Sequence, residues 1–175
     1  MGYRLVGATR FYNRREIKDI IAYLRLVYSP TDSAGFARII NTPARGIGKK
    51  TLESFYAWAQ KNGWQPGEAL LALALDEEVQ HPFSARAQRA LERIAQKYAT
   101  WIELSSQVTV AELIDTILAA IDFVGYLDDG TEAGRDRWNN VMELRNVARE
   151  REHLKLGEFL EQVALVSDVD DYEAS

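Results

Sequence analysis

The segment Arg45-Gly-Ile-Gly-Lys-Lys-Thr51 carries the densest chemistry in this 175-residue sequence. Two glycines around one apolar residue let the backbone turn sharply, and the small side chains leave amide N–H groups open. A helix beginning at this point adds unsatisfied N–H groups and a partial positive charge, which together bind phosphate. Lys49 and Lys50 fall in that helix's first turn, where a cation works against the macrodipole by about 0.3–1 kcal/mol. An external anion between them would account for the placement, with Thr51 offering a hydroxyl and Arg45 reaching a neighbouring phosphate. The same residues also read as an ordinary helix–turn–helix corner with solvent-facing lysines.

A second segment, Arg10-Phe-Tyr-Asn-Arg-Arg-Glu-Ile-Lys18, repeats the pattern, with Arg14 and Arg15 in a first turn. Arginine suits bidentate phosphate contact, and Phe11 or Tyr12 offers a ring to stack or pack. The other reading is a surface pair, Arg14 with Glu16 or Arg15 with Asp19, of small energetic value. Remaining groups point away from catalysis. The sequence has no Cys, and His81 and His153 stand far apart, so thiolate sites and an H-E-x-x-H metal helix are both excluded. No G-x-x-x-x-G-K-[ST] phosphate loop occurs. His81 reads as a loop residue. Asp168, Asp170 and Asp171 read either as a solvated acidic tail or as metal ligands, and the four tryptophans as core more than as stacking platforms. No catalytic set and no metal site are assigned: the residues offer binding chemistry rather than bond-breaking chemistry.

The elements that must position these groups are helical. Tyr3–Gly7 alternates enough for a short strand, but no second strand follows to pair its edges. Ile17, Ile20, Ile21, Leu24, Val27 and Tyr28 recur at spacings of three and four, an apolar helical stripe with Asn13 and Glu16 as its capping pair. Ser29-Pro-Thr-Asp32 breaks it. A short helix follows, with Phe36, Ile39 and Ile40 on one side. Helices are then expected over 49–62, stopped by Gly63, and over 66–76, opened by Pro66. A long helix over 84–103 turns Leu91, Ile94, Tyr98 and Trp101 inward. Thr109 and Glu112 form a capping box for a helix whose apolar face is Leu113, Ile114, Ile117 and Leu118. After a turn at 128–131 come a charged helix over 132–153 and a last one over 157–166. The expected class is an all-α helical bundle with a strand stub.

About 47% of the residues are apolar and 27% charged, the balance of a globular protein with a real core. No apolar run reaches the roughly 20 residues of a membrane span, and the opening residues lack a secretory leader, so neither a membrane nor an exported protein is expected. The net charge of −5 is uneven. Residues 1–61 hold 11 basic and four acidic side chains, and the remaining 114 hold 10 basic and 22 acidic. A basic third on an acidic remainder fits a surface that faces a polyanion, or an uneven solvated surface.

Gly2-Tyr-Arg-Leu-Val-Gly-Ala-Thr-Arg-Phe-Tyr-Asn-Arg-Arg-Glu-Ile-Lys-Asp19, then Tyr23-Leu-Arg-Leu26, then Arg38-Ile-Ile-Asn-Thr-Pro-Ala-Arg-Gly-Ile-Gly-Lys-Lys-Thr-Leu52 closely resemble the UvrD/PcrA-type superfamily 1 DNA helicases. The similarity continues through Arg137-Trp-Asn-Asn-Val-Met-Glu-Leu144 and Phe159-Leu-Glu-Gln-Val-Ala-Leu-Val-Ser-Asp168. In that family two RecA-like motor domains, 1A and 2A, hydrolyse ATP and step 3′→5′ along single-stranded DNA, and each carries an inserted helical domain, 1B or 2B. The resemblance implies residues 1–28 as the end of 2A, 29–168 as 2B and 169–175 as an acidic tail. It implies duplex-DNA contact at Thr42, Arg45, Gly46, Ile47, Gly48, Lys49, Lys50 and Thr51. Phe11–Glu16 resembles motif IV, which makes Arg14 a nucleotide contact in a full-length parent.

Walker A, Walker B, the arginine finger and the single-strand-binding motifs are absent, and Ala8 stands where the family has Gly. The resemblance therefore implies an excised piece of a cytoplasmic, ATP- and Mg²⁺-dependent DNA repair or replication helicase. The piece itself would need no cofactor and perform no hydrolysis. Its expected partners are duplex DNA near a single-strand junction and the motor domains of the same parent. About three phosphates neutralised would give a salt slope of about −0.9 per contact. Two other readings stay open: a module for repair or transcription proteins with DNA contact secondary, and a helix–hairpin–helix repair enzyme, for which no catalytic residue can be named.

Overall fold

Helix α1 (Arg15–Tyr28) stops where Pro30 removes the N–H that would have reached the carbonyl of Leu26. The Tyr98 hydroxyl takes that role, donating to the Leu26 carbonyl oxygen at 2.6 Å in a buried site. The structure, a computed structural model, describes residues 10–174, so the expected strand at Tyr3–Gly7 lies outside the described residues. Among the described residues every regular element is a helix, the all-α class expected, and no helix is long and apolar enough to cross a membrane.

The chain packs as two compact units, and the division falls inside α1. One unit is Arg25–Gln107, comprising the end of α1, α2 (Ser33–Ile39), α3 (Lys49–Lys61), α4 (Pro66–Leu75) and α5 (Ala85–Ser105). In it α4 is the hub, packed against α2, α3 and α5. Gly67 lets the start of α4 lie directly on Pro30, whose carbonyl oxygen stands 2.3 Å from where a Cβ would be. Phe36 stacks on Phe55 at 5.3 Å, and Trp58 meets Phe83 edge-on at 5.4 Å and donates its indole N–H to the Gln80 carbonyl at 2.8 Å. Trp58 and Trp101 are core, as the sequence suggested, and His81 is a loop residue whose Nδ1 accepts from the Phe83 N–H.

The other unit takes the described residues up to Leu24 and those from Val108 onward. It holds most of α1 with α6 (Val110–Ala120), α7 (Phe123–Leu127), α8 (Glu132–Glu150) and α9 (Leu156–Ala174). Helix α6 packs on α7 and α8, and Ile114, Ile117, Phe123, Val141, Leu144 and Phe159 are fully buried. Each such side chain contributes about 1.5–3 kcal/mol of hydrophobic stabilisation. The Arg145 guanidinium pairs with Asp115 between α6 and α8.

Several local expectations change. Tyr28, placed on the apolar stripe of α1 by its spacing, is 61% exposed, because α1 ends there and has nothing left to pack; Tyr23 is buried instead. Helix α7 is not foreshadowed in the sequence: five residues are too few for a periodicity, and Asp122 starts it from a left-handed conformation, φ 48°. Helix α9 runs to Ala174 where the periodic apolar pattern stops at Val166.

Candidate nucleic-acid interface

Helix α2 opens with Asp32 accepting from the Gly35 N–H at 3.1 Å and closes at Ile40. Its last carbonyls would be orphaned, since helix ends leave four C=O groups unpaired. Arg45 turns back to them: its Nη1 donates to the carbonyls of Ile39 and Ile40. A guanidinium there also meets the negative end of the α2 macrodipole. Asn41 Nδ2 donates to the Ile47 carbonyl at 2.7 Å, and the Ile47 side chain is 4% exposed. The Thr42–Pro43 peptide is cis. These ties pin the loop at both ends, and Gly46 makes its turn at φ +73°, where a side chain would be strained although open space surrounds it.

Gly48 is the N-cap of α3, with no side-chain cap and no acid in the first turn. The first intrahelical bond is the Leu52 N–H to the Gly48 carbonyl at 2.9 Å, so the amides of Lys49, Lys50 and Thr51 point out of the helix end. Lys49 and Lys50 are exposed, and among the described residues neither side chain has an ionic partner. Both cations and the macrodipole thus add at one point. The rest of α3 is immobilised by Phe55, Trp58 and Ala59 in the core. Outward amides, two free ammonium groups and a hydroxyl at Thr51 on a fixed helix are chemistry that could hold an anion.

The eight candidate residues within 42–51 therefore share one loop and helix start, and two of them also make structural contacts. Arg45, expected to reach out to a phosphate, directs Nη1 inward because the buried carbonyl end of α2 needs a donor. Ile47 is an anchor whose side chain faces the core. Sequence reasoning missed Asn41; an Asn directly before Thr-Pro at a helix end is the kind of residue that bonds backbone locally, and that was the available signal.

Arg14 lies in the other unit. Its Nη1 donates to Asn140 Oδ1 at 2.6 Å, its guanidinium carbon is 5.9 Å from the Phe11 ring centre, and Asn140 Nδ2 donates to Glu16 Oε2 at 3.1 Å. Glu16 and Asp19, which the sequence offered as surface partners, are 5% and 3% exposed. With Arg15, Tyr126, Leu127 and Arg137 they line a cavity of about 350 Å³. Burial pushes the Tyr12 hydroxyl above its ordinary range, with the Arg151 charge opposing it. Asn140 was not singled out, although it stands in the Arg137–Leu144 segment that carried the resemblance. The Arg14 Nη1 is engaged by Asn140, and among the described residues no three acids or histidines converge for a metal.

The chain belongs to the family described as UvrD-like helicase C-terminal domain, which it matches over residues 1–174. It is 33% identical over 179 residues to the ATP-dependent DNA helicase PcrA of Bacillus subtilis, covering 99% of this chain and 23% of the relative. It is 32% identical to UvrD1 of Mycobacterium bovis, over 97% of this chain and 24% of the relative, and 31% identical to Rep of Escherichia coli, over 81% and 21%. The chain thus spans under a quarter of the length of these helicases.

Proposed function

We propose that this chain is the 2B-type accessory domain, with a short preceding part of 2A, of an ATP-dependent 3′→5′ DNA helicase acting in the cytoplasm in DNA repair or replication. In this reading the Gly46–Ile47–Gly48 loop and the start of α3 hold duplex DNA near a single-strand junction. The carrying observation is the uncapped N-terminus of α3 with Gly48 at the cap and two unpartnered lysines in the first turn. Outward amides and Lys49 and Lys50 contact phosphates without reading sequence, Thr42 and Thr51 flank them, and Arg45 and Ile47 brace the loop. Family membership supplies the support for DNA as the anion. Arg14 would meet the nucleotide only beside the motor domains of the parent, and ATP and Mg²⁺ belong to that parent rather than to this piece.

The test is fluorescence anisotropy of a labelled duplex at roughly 20 and 150 mM salt with the unaltered chain and with Lys49→Gln/Lys50→Gln. Removing two lysine–phosphate pairs should flatten the slope of log K against log salt by about 1.8. Equal affinity and equal slope for both proteins would move the duplex contact away from α3. The protein-module reading gains little from the surface: the exposed large apolar side chains Tyr28, Leu75, Val124, Tyr126 and Leu165 are scattered over four helices, which is normal for a folded chain.

A further inference from the structure

Helix α5 carries Arg86, Arg89, Arg93 and Lys97, spaced by three, four and four residues. At 3.6 residues per turn they fall within an arc of about 80° and extend about 16 Å along the helix. All four are exposed, while Leu91, Ile94, Tyr98 and Trp101 on another face fill the core. Among the described residues none of the four side chains has a hydrogen bond or ion pair. The acids of α5 lie off the stripe, and Glu92 is taken by Gln88 Nε2 at 2.8 Å. Like charges at these spacings repel and destabilise an isolated helix, a cost that an anionic partner outside the chain would relieve.

We propose that this flank of α5 is a second binding surface for the sugar–phosphate backbone of duplex DNA, distinct from the α3 helix start. Successive cations rise about 4.5–6 Å along the axis, and one strand of a duplex presents a phosphate for about every 3.4 Å of its own. The row of about 16 Å is therefore long enough to meet several phosphates of one strand. Three of the four are arginines, whose planar fork binds phosphate oxygens in pairs. Gln96 within the stripe and Thr100 just beyond it are exposed and polar: Gln96 Nε2 donates to the Ala74 carbonyl and the Thr100 hydroxyl to the Gln96 carbonyl. The stripe thus lacks the aromatic anchors of a protein interface, and the apolar face a membrane-surface helix would insert is already buried in the core. The unit Arg25–Gln107 has ten basic and eight acidic side chains in a chain of net charge −5, so the polyanion meets the less acidic part of the molecule. The inference rests on the proposed function only for the identity of that polyanion.

The test uses the whole chain, a labelled duplex of about 20 base pairs and anisotropy titrations from roughly 20 to 150 mM salt. Arg89→Gln/Arg93→Gln keeps helix propensity and side-chain length; Arg86→Gln/Lys97→Gln is a second, independent pair, and circular dichroism checks helicity. Each pair should weaken duplex binding on the order of tenfold at low salt and flatten the salt slope by about 1.8. Wild-type affinity and slope in both pairs overturn the proposal, as does an unaltered chain that binds polyglutamate but no duplex, or that binds neither. Lys49→Gln/Lys50→Gln, run alongside, separates the two readings. If only this variant loses binding, the α5 surface is refuted and the loop stands; if only the α5 pairs do, the loop assignment fails and the α5 surface stands.

Discussion

The start of α3 and the start of α8 are built from the same backbone and finished in opposite ways. At α8, Thr131 accepts from the Gly134 N–H at 3.0 Å, Glu132 places an acid in the first turn, and Asp129 accepts from both the Thr131 N–H and its hydroxyl. The positive end of that helix is answered from within the chain. At α3, Gly48 offers no side chain, the first turn has no acid, and two lysines increase the charge. Helices α2, α5 and α6 follow α8, capped by Asp32, Ser84 and Thr109. A closed end adds stability; an open end leaves the same amides for a ligand. The difference separates a helix start completed within the fold from one left open, as the proposed duplex contact requires.

Four experiments would break or sharpen that contrast. The largest effect is expected at the closed start of α4, where Glu68 accepts from the Gln65 N–H at 2.9 Å and Gly67 lies against Pro30. Gly67→Ala drives a Cβ into a backbone carbonyl and should cost about 1–3 kcal/mol or more, read from the urea unfolding midpoint. Thr131→Ala removes the α8 cap and should cost about 0.5–2 kcal/mol while leaving duplex affinity unchanged.

Gly48→Asp is the informative inverse. The backbone there, φ −74° and ψ 169°, is that of an ordinary N-cap, and a Cβ would meet nothing within 4 Å. The new carboxylate should stabilise α3 by a few tenths of a kcal/mol and weaken duplex binding. A protein both more stable and equally avid would end the view that this helix start is held open for an anion. The smallest effect is on pH dependence. Hydrogen bonds from Thr131, its side chain first, hold the Asp129 carboxyl below its ordinary value, with Arg137 assisting. Because the folded pKa is the lower one, the stabilisation is complete above the ordinary Asp value of about 3.9. It is lost as pH falls through the lowered value. Asp129→Asn should remove that component of the acid sensitivity of unfolding, and the group's exposure to solvent keeps it small.

The helices were legible where their apolar residues repeat. Leu91, Ile94, Tyr98 and Trp101 on α5, and Leu113, Ile114, Ile117 and Leu118 on α6, are inward as their spacing requires. The Thr109–Glu112 cap is made as read, with the Glu112 N–H donating to the Thr109 hydroxyl at 3.2 Å. Five-residue α7 escaped because it is shorter than two turns. At the candidate site, the turn at Gly46–Gly48 and the helix start at Lys49 were readable, since glycine conformation and capping are local properties. The inward turn of Arg45 was not, because it answers the carbonyl end of a preceding helix.

By itself the sequence determined the all-α class, most helix starts and stops, the glycine turn with its lysines, and the segments that place the chain in its family. Each of these depends on residues within a few positions of one another, where backbone sterics and helical periodicity decide the outcome. Tertiary structure alone decided the partners: Tyr98 supplying the donor that Pro30 lacks, Asn140 joining Arg14 to a buried Glu16, and Ile47 locking the loop into the core. It also decided that the cations of α5 stay without acids. Such choices join residues as many as 126 positions apart. They are made by the need to satisfy polar groups once packing has removed water, a demand that arises only when the helices meet.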